Sequence, residues 1–381
     1  MSPDIPPHLT NNLRDLDLID LSIGSRSLTH SPDQINLSDG SSLVLRVFDV
    51  KSYGAQPNAD ITQALTKAWK VACAVAGSKV AISGGVYKLG LVTLLGPCRD
   101  VSSFNGKDGW VAFESIDGLT VSGGGVFDGK GQQAWQKNEC NKDKNWNVLP
   151  INIRFNYVTN SKKLQFQHVT IIAPADSPNI DGIHVGRSSQ ITITNADIGT
   201  GDDCISIGDG TQDITINQVT CGLRHGISVG SLGRYQNEEP VSGIRVTSAT
   251  LSNTDNGVRI KTWPTSSSGV ASDIHFEDVV MNNVANAVII DQNYSPNSQC
   301  LNESPSKVTI SNVSFKKIRG TSSTKEAVNL ICSKSVPCQQ VVLFDIDLAY
   351  KGGGGSTTST CTNVQPTVSG KLNPPTCTNK R

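Results

Sequence analysis

Short apolar runs of period two recur along the chain in two phased series. One is a tetrapeptide: "GIHV" from 182, "CISI" from 204, "GISV" from 226, "GVRI" from 257, "AVII" from 287 and "AVNL" from 327. The other is a longer alternating run: "KLQFQHVTI" from 163, "QITITNADI" from 190, "DITINQVTC" from 213, "GIRVTSATL" from 243, "DIHFEDVVM" from 273 and "KVTISNVSF" from 307. Alternation at period two predicts half-buried strands. Two series in phase predict a coil made of several strands. The tetrapeptides at 182, 204 and 226 start 22 residues apart, and later intervals lengthen as inserted loops would make them. Such irregular repeats of strands predict an all-β fold, a single-stranded right-handed parallel β-helix in which each coil buries its inward residues on the next. Ile183, Ile205, Ile227, Val258, Val288 and Val328 are its expected internal ladder.

Stacked coils lie roughly 4.8 Å apart, so equivalent positions become neighbours in space. The residue before each tetrapeptide is Asp181, Asp203, His225, Asn256, Asn286 and then Glu326. Three titratable groups thus line one edge, with Asp202 adjoining the middle one. Arg259 and Lys261 share a parity opposite to the inward Val258 and Ile260, so both should point outward from the same sheet. Taken singly, an Asp before Gly is a turn residue, a lone His is structural and an outward Arg is solvated. Their convergence on neighbouring coils favours a site.

Composition narrows the function. The 381 residues include 33 acidic and 33 basic side chains, a balance that offers no global electrostatic case for nucleic acid or an anionic membrane. Ten cysteines point to an oxidising compartment, with Cys204–Cys221, Cys332–Cys338 and Cys361–Cys377 as natural local pairs. No CxxC or close His/Cys cluster has zinc spacing, so metal binding is not expected. Sequons at Asn36, Asn293, Asn302 and Asn312 are compatible with secretion. The opening "MSPDIPPHLTNNLRDLDLIDLSIG" is not a recognisable signal peptide, and no later run reaches transmembrane length.

Paired carboxylates suit glycoside hydrolysis, in which one protonates the leaving oxygen while another attacks or activates water. Repulsion between Asp202 and Asp203 should favour a proton on one of them. Arg259 and Lys261 suit a substrate that itself carries carboxylates. A uronic-acid polymer meets both requirements.

The stretches "SPNIDGIHV", "GTGDDCISIG", "CGLRHGISVGSLG" and "VRIKTW" together resemble the polygalacturonases of glycoside hydrolase family 28, particularly plant pollen-type exopolygalacturonases. The resemblance runs from about "RVFDVKSYGAQPNAD" at 46 to the final cysteine. It implies a pectin-lyase-like solenoid over 46–381, a monomer without cofactor that hydrolyses α-1,4-linked galacturonan (pectate, homogalacturonan) with inversion, by exo action. Asp202 matches the general acid, Asp181 and Asp203 the pair that activates water, and His225 a histidine that tunes the acid. Arg259, Lys261, Tyr294 in "IIDQNYSP" and Asn179 match substrate-binding positions. A secreted, cell-wall destination also follows from the resemblance, whereas residues 1–45 form an N-terminal extension with no recognised counterpart.

Departures from the family pattern bear on activity. Asn179-Ile180-Asp181 replaces an NTD triplet, and Leu223-Arg224 replaces a Pro-Gly before the histidine, where Arg224 is expected to distort or crowd the site. About one coil of material is absent after "GPC" at 96 and between "RFNYVTN" and "KKLQFQHVTI" by comparison with the family, and Ser295 stands in "YSP" where "YCP" is common, leaving Cys300 without an assigned partner. Reduced activity is expected. The alternatives are a catalytically weak, allergen-like pectin-binding β-helix and a cation-dependent polysaccharide lyase.

Overall fold

The computed structural model describes residues 11–14, 19–23, 46–75, 77–96, 109–122, 125–128, 151–159, 169–177, 179–264, 267–296, 304–353, 355–375 and 377–379. The chain winds into a parallel β-helix whose cross-section has three strand-bearing faces. Eleven strands form one sheet, from Val92–Leu95 through Ile183–Gly186, Ile205–Ile207, His225–Leu232, Asn256–Thr262 and Asn286–Asp291 to Thr378–Asn379. The other two faces share a 14-stranded sheet because long strands such as Gly269–Val284 bend from one face onto the next.

The expected ladder forms in register. Ile183 pairs with Ile205, Ile205 with Ile227, Ile227 with Val258, Val258 with Val288 and Val288 with Val328. All six are at most 1% exposed, so each coil removes the apolar surface of its neighbour from water, the main driving force for stacking. Phe276 and Phe315 stack in the same way, with centroids 5.3 Å apart. Glycine beside the ladder allows the close approach: a Cβ on Gly226 would stand 2.2 Å from the carbonyl oxygen of Gly257, and one on Gly257 2.1 Å from that of Ala287.

Corners are turned by single residues in the left-handed region. Asn195, Gln218, Ser248, Asp278, Lys317 and Asp345 occupy one such corner on successive coils, with φ between 52° and 55°. At the N-terminal end the helix Thr62–Cys73 buries Ala64, Leu65, Ala68, Trp69 and Ala72 against the first coil, covering a sheet end that would otherwise expose apolar residues. Two strands of the segment 1–45 also join the sheets here. Asn11–Arg14 lies antiparallel between Tyr87–Leu89 and Val126–Asp128, and Ile19–Ile23 antiparallel between Lys79–Ile82 and Leu119–Ser122.

Disulfides link Cys204 to Cys221, Cys332 to Cys338 and Cys361 to Cys377, the three pairings suggested by spacing. Cys73 is disulfide-bonded as well. Cys300 and the two places where the resemblance implies missing material, after residue 98 and between residues 160 and 162, lie outside the described residues.

Candidate active site

The eleven-stranded sheet carries the site on its outer surface. Asp181 and Asp203 each lie two residues before a ladder strand, and His225 opens the next strand. Coil stacking then brings side chains remote in sequence together: the main-chain N–H of Gly182 donates to Asp203 O, and that of Cys204 to His225 O.

Asp203 is the electrostatic centre. Its Oδ1 accepts from Ser228 Oγ at 2.7 Å and from Arg259 Nη2 at 2.8 Å, while Oδ2 accepts from Lys261 Nζ at 2.7 Å. The side chain is only 3% exposed. Burial alone would raise its proton affinity, but Lys261, Arg259 and His225 outweigh burial and hold the carboxyl below the usual carboxylate range. Asp203 is therefore held ionised.

Asp202 is the more exposed member of the adjacent pair. Its Oδ1 accepts from the Asp203 main-chain N–H at 2.8 Å and is 2.9 Å from His225 Nδ1. Asp181 Oδ2 accepts from Ser206 Oγ at 2.6 Å, and Ser206 Oγ lies 2.7 Å from His184 Nδ1. Burial, then the charges of Asp202 and Asp203, push the Asp181 carboxyl well above the usual range. The repulsion expected to act within the adjacent pair thus falls on a third carboxyl, because two cations have already compensated Asp203.

Arg259 and Lys261 do face outward from the sheet, on the parity opposite to Val258 and Ile260, but they are buried rather than solvated. Besides Asp203, Arg259 donates from Nε to Ser228 Oγ at 3.1 Å, and in the amide orientation that satisfies both groups the side-chain oxygen of Asn256 accepts from Arg259 Nη1 at 3.2 Å. Burial would weaken the proton hold of both cations, yet Asp203 beside them raises it above their ordinary values. Tyr294 completes this wall, its ring centroid 5.0 Å from Lys261 Nζ and 5.9 Å from the Arg259 guanidinium carbon. Asn179 is exposed, with φ of 57°, and no hydrogen bond joins it to the other site residues among the described residues.

The residues replacing Pro-Gly leave these contacts intact. Arg224 points to the following coil, where Nε is 3.2 Å from Asp255 Oδ2, and His225 keeps its contact with Asp202. Crowding of the carboxylates by Arg224 is thus not observed. Leu223 adopts φ of 82° and is 45% exposed. Ile180 is buried against Ala173.

Sequence reasoning passed over Ser206, Ser228, His184 and Asp291. The two serines occupy the outward position of "CISI" and "GISV", and Ser228 pairs in register with Arg259, so the parity that selected Arg259 also selected them. Asp291 pairs with Lys261. Burial raises its carboxyl, against the opposing pull of the Asn293 N–H, Arg259 and Lys261. Donor atoms of Asp202, Asp203 and His225 lie within 4.8 Å of one another, a spacing that could hold a metal ion. Two cations already bonded to Asp203 make this donor set a poor one for a divalent ion.

Residues 73–372 match the family described as "Glycosyl hydrolases family 28". The chain is 50% identical to an exopolygalacturonase of Platanus acerifolia, covering 86% of this chain and 97% of that one. It is 48% identical to an exopolygalacturonase of Oenothera organensis, covering 84% and 98%, and 45% identical to a polygalacturonase of Nicotiana tabacum, covering 87% and 92%. Among solved structures, an exopolygalacturonase from Thermotoga maritima superposes with a TM-score of 0.55 at 16% identity, covering 86% of this chain and 92% of the other. That likeness speaks to the fold, and it agrees with a right-handed parallel β-helix. A match over most of the coils, near-complete coverage of the plant relatives' length and a solenoid that brings three carboxyls together on one sheet face lead to one conclusion: the chain belongs to glycosyl hydrolases family 28.

Proposed function

We propose that the protein hydrolyses the α-1,4 bonds of galacturonan from a chain end. The observation that carries this reading is the carboxylate cluster itself, one member held ionised by Arg259 and Lys261 and another pushed toward its protonated form. Opposed protonation states are what acid–base cleavage of a glycoside requires. Exo action is supported by the exopolygalacturonases among the relatives. Disulfides and the extracellular character of the family support secretion, with the plant cell wall as the destination.

In this scheme Asp202, touching His225, protonates the glycosidic oxygen as the bond to the anomeric carbon breaks. A water held between Asp181 and Asp203 attacks that carbon and gives up its proton to a carboxylate. The raised proton affinity of Asp181 favours a second assignment, in which Asp181 is the proton donor and Asp203 alone activates water. An aryl galacturonide separates the two. Its good leaving group needs little protonation, so loss of the acid is rescued on it and loss of the base is not. Asp202→Asn rescued and Asp181→Asn unrescued supports the first scheme, and the reverse supports the second. Inversion is carried over from the family, and the first-formed product anomer, read by proton NMR, tests it. Incubation with polygalacturonate tests the reaction class: new reducing ends without unsaturated sugar are required, an unsaturated product would make it a lyase, and binding without turnover would make it a pectin-binding protein.

A further inference from the structure

The cations beside the carboxylates are buried, and part of their donor capacity is already committed to the protein. Arg259 spends Nε on Ser228, Nη2 on Asp203 and Nη1 on Asn256, and Lys261 spends one of its three donors on Asp203. A polymer with a carboxylate on every sugar needs further positive charge along its path.

Arg234 supplies it. Three consecutive strands of the eleven-stranded sheet, His225–Leu232, Asn256–Thr262 and Asn286–Asp291, deliver Arg234, Trp263 and Tyr294 just beyond their C-terminal ends. The rings form a continuous wall: Trp263 meets Tyr294 edge-on at 5.6 Å, and Tyr294 reaches Lys261 at 5.0 Å. On the far side, the Arg234 guanidinium carbon lies 5.1 Å from the Trp263 ring and 5.5 Å from that of Tyr235. Arg234 itself is exposed, and no ion pair or hydrogen bond to its side chain is seen among the described residues. Its backbone is nonetheless fixed, because Glu238 accepts from the N–H groups of Gly233 at 2.6 Å and Tyr235 at 2.8 Å. A stacked guanidinium keeps its in-plane donors free for a carboxylate. Tyr235, 63% exposed, leaves a large ring face open beside it, the kind of surface on which an amphipathic sugar can lie.

We propose that Arg234, Trp263 and Tyr235 form a second uronate subsite, which binds the carboxylate of a galacturonate unit beyond the two that flank the cleaved bond. The proposal rests on the reading of the site as a galacturonan hydrolase. Arg234 forks onto the carboxylate, Trp263 fixes the guanidinium plane, and Tyr235 covers the sugar ring. A methyl ester at that unit removes the charge that Arg234 recognises.

The test is steady-state kinetics of the full chain on digalacturonate and on longer oligogalacturonates, comparing wild type with Arg234→Gln and Arg234→Lys. Loss of one charge-assisted contact should lower kcat/KM on the longer oligomers by about tenfold or more, chiefly through KM, and far less on the dimer. Lysine, which keeps the charge without the planar fork, should recover part of the loss. Methyl-esterified oligomers should discriminate against wild type more than against Arg234→Gln. Equal losses on dimer and longer oligomers, or no loss on either while wild type remains active, would overturn the subsite. A wild-type protein without turnover on any galacturonate would instead overturn the hydrolase reading. Thermal unfolding runs in parallel: a purely structural stacking role lowers the melting temperature of Arg234→Gln without altering the dependence on chain length.

Discussion

Lys261→Met is the most informative single change, because it removes the only donor seen on Asp203 Oδ2 among the described residues while keeping a long side chain against Tyr294. Asp203 is 3% exposed and Lys261 7% by side chain, so water cannot readily replace the lost partner. Breaking a buried pair by removing one member costs about 3–5 kcal/mol. Arg259 and Ser228 still hold Oδ1, which places the expected cost at the lower end, about 3 kcal/mol. With an unfolding entropy of about 2.1 cal/mol/K per residue over 381 residues, about 0.8 kcal/mol/K in all, that corresponds to a fall in melting temperature of about 4 °C.

The pH dependence has a definite sign. Asp203 ionises below its ordinary value of 3.8 in the folded protein. Its contribution to stability is therefore present above that value and is lost as pH falls through the depressed one. With Lys261 gone, burial counts for more and the folded value rises, so acid destabilisation should set in at higher pH than in wild type. Melting temperatures of wild type, Lys261→Met, Asp203→Asn and the double variant, measured from neutral to acid pH, form the complete cycle. A coupling below about 0.5 kcal/mol at neutral pH would refute the claim that this ion pair anchors the site.

Ser206→Ala removes the hydrogen bond that partly offsets the raised proton affinity of Asp181, so the limb of the pH–rate profile governed by Asp181 should move to higher pH; a downward move would contradict the network. Leu223→Gly should raise stability by about 0.5–1 kcal/mol by relieving a left-handed residue whose side chain is half exposed, as read by thermal unfolding. Leu223→Pro, although it restores the residue usual in the family, should destabilise by about 3 kcal/mol or more, since the proline ring cannot reach φ of 82°. Replacing Cys204 and Cys221 together by Ala should cost about 2–4 kcal/mol, because their bridge spans 17 residues and lies directly beneath Asp203. An unchanged denaturation midpoint would argue against that last expectation.

The core was legible in the sequence because stacking and alternation both act on the same residues. Ile183 to Val328 share an inward parity and a coil position, so a single alignment of tetrapeptides yields the ladder. Corners were not legible: Gln218, Ser248 and Lys317 sit in the left-handed region without being the Gly or Asn that would announce it, because closing the coil imposes the conformation on whatever residue stands there. The strands Asn11–Arg14 and Ile19–Ile23 were also missed, since they add antiparallel to the solenoid's first coils and carry none of its repeat.

At the site, parity told which side chains leave the sheet but not what they meet. Arg259 and Lys261 lie 56 and 58 residues from Asp203, yet coil stacking brings them within 2.8 Å and 2.7 Å of its carboxylate. Whether an outward cation is solvated or buried depends on the walls around it, here Tyr294 and Ser228. Once buried, the pair decides the proton affinities of its neighbours: Asp203 is compensated and stays charged, so the penalty of crowding three carboxyls falls on Asp181, whose carboxyl has only Ser206 as a direct hydrogen-bond donor among the described residues. The order of proton affinities thus comes from which coil supplies the cations, a property of stacking rather than of the Asp-Asp dipeptide. Exchanging that supply should move the proton: with Lys261→Met, Asp203 becomes a second carboxyl able to hold it, and the pH–rate profile should broaden or shift on the limb that Asp181 alone governs in wild type.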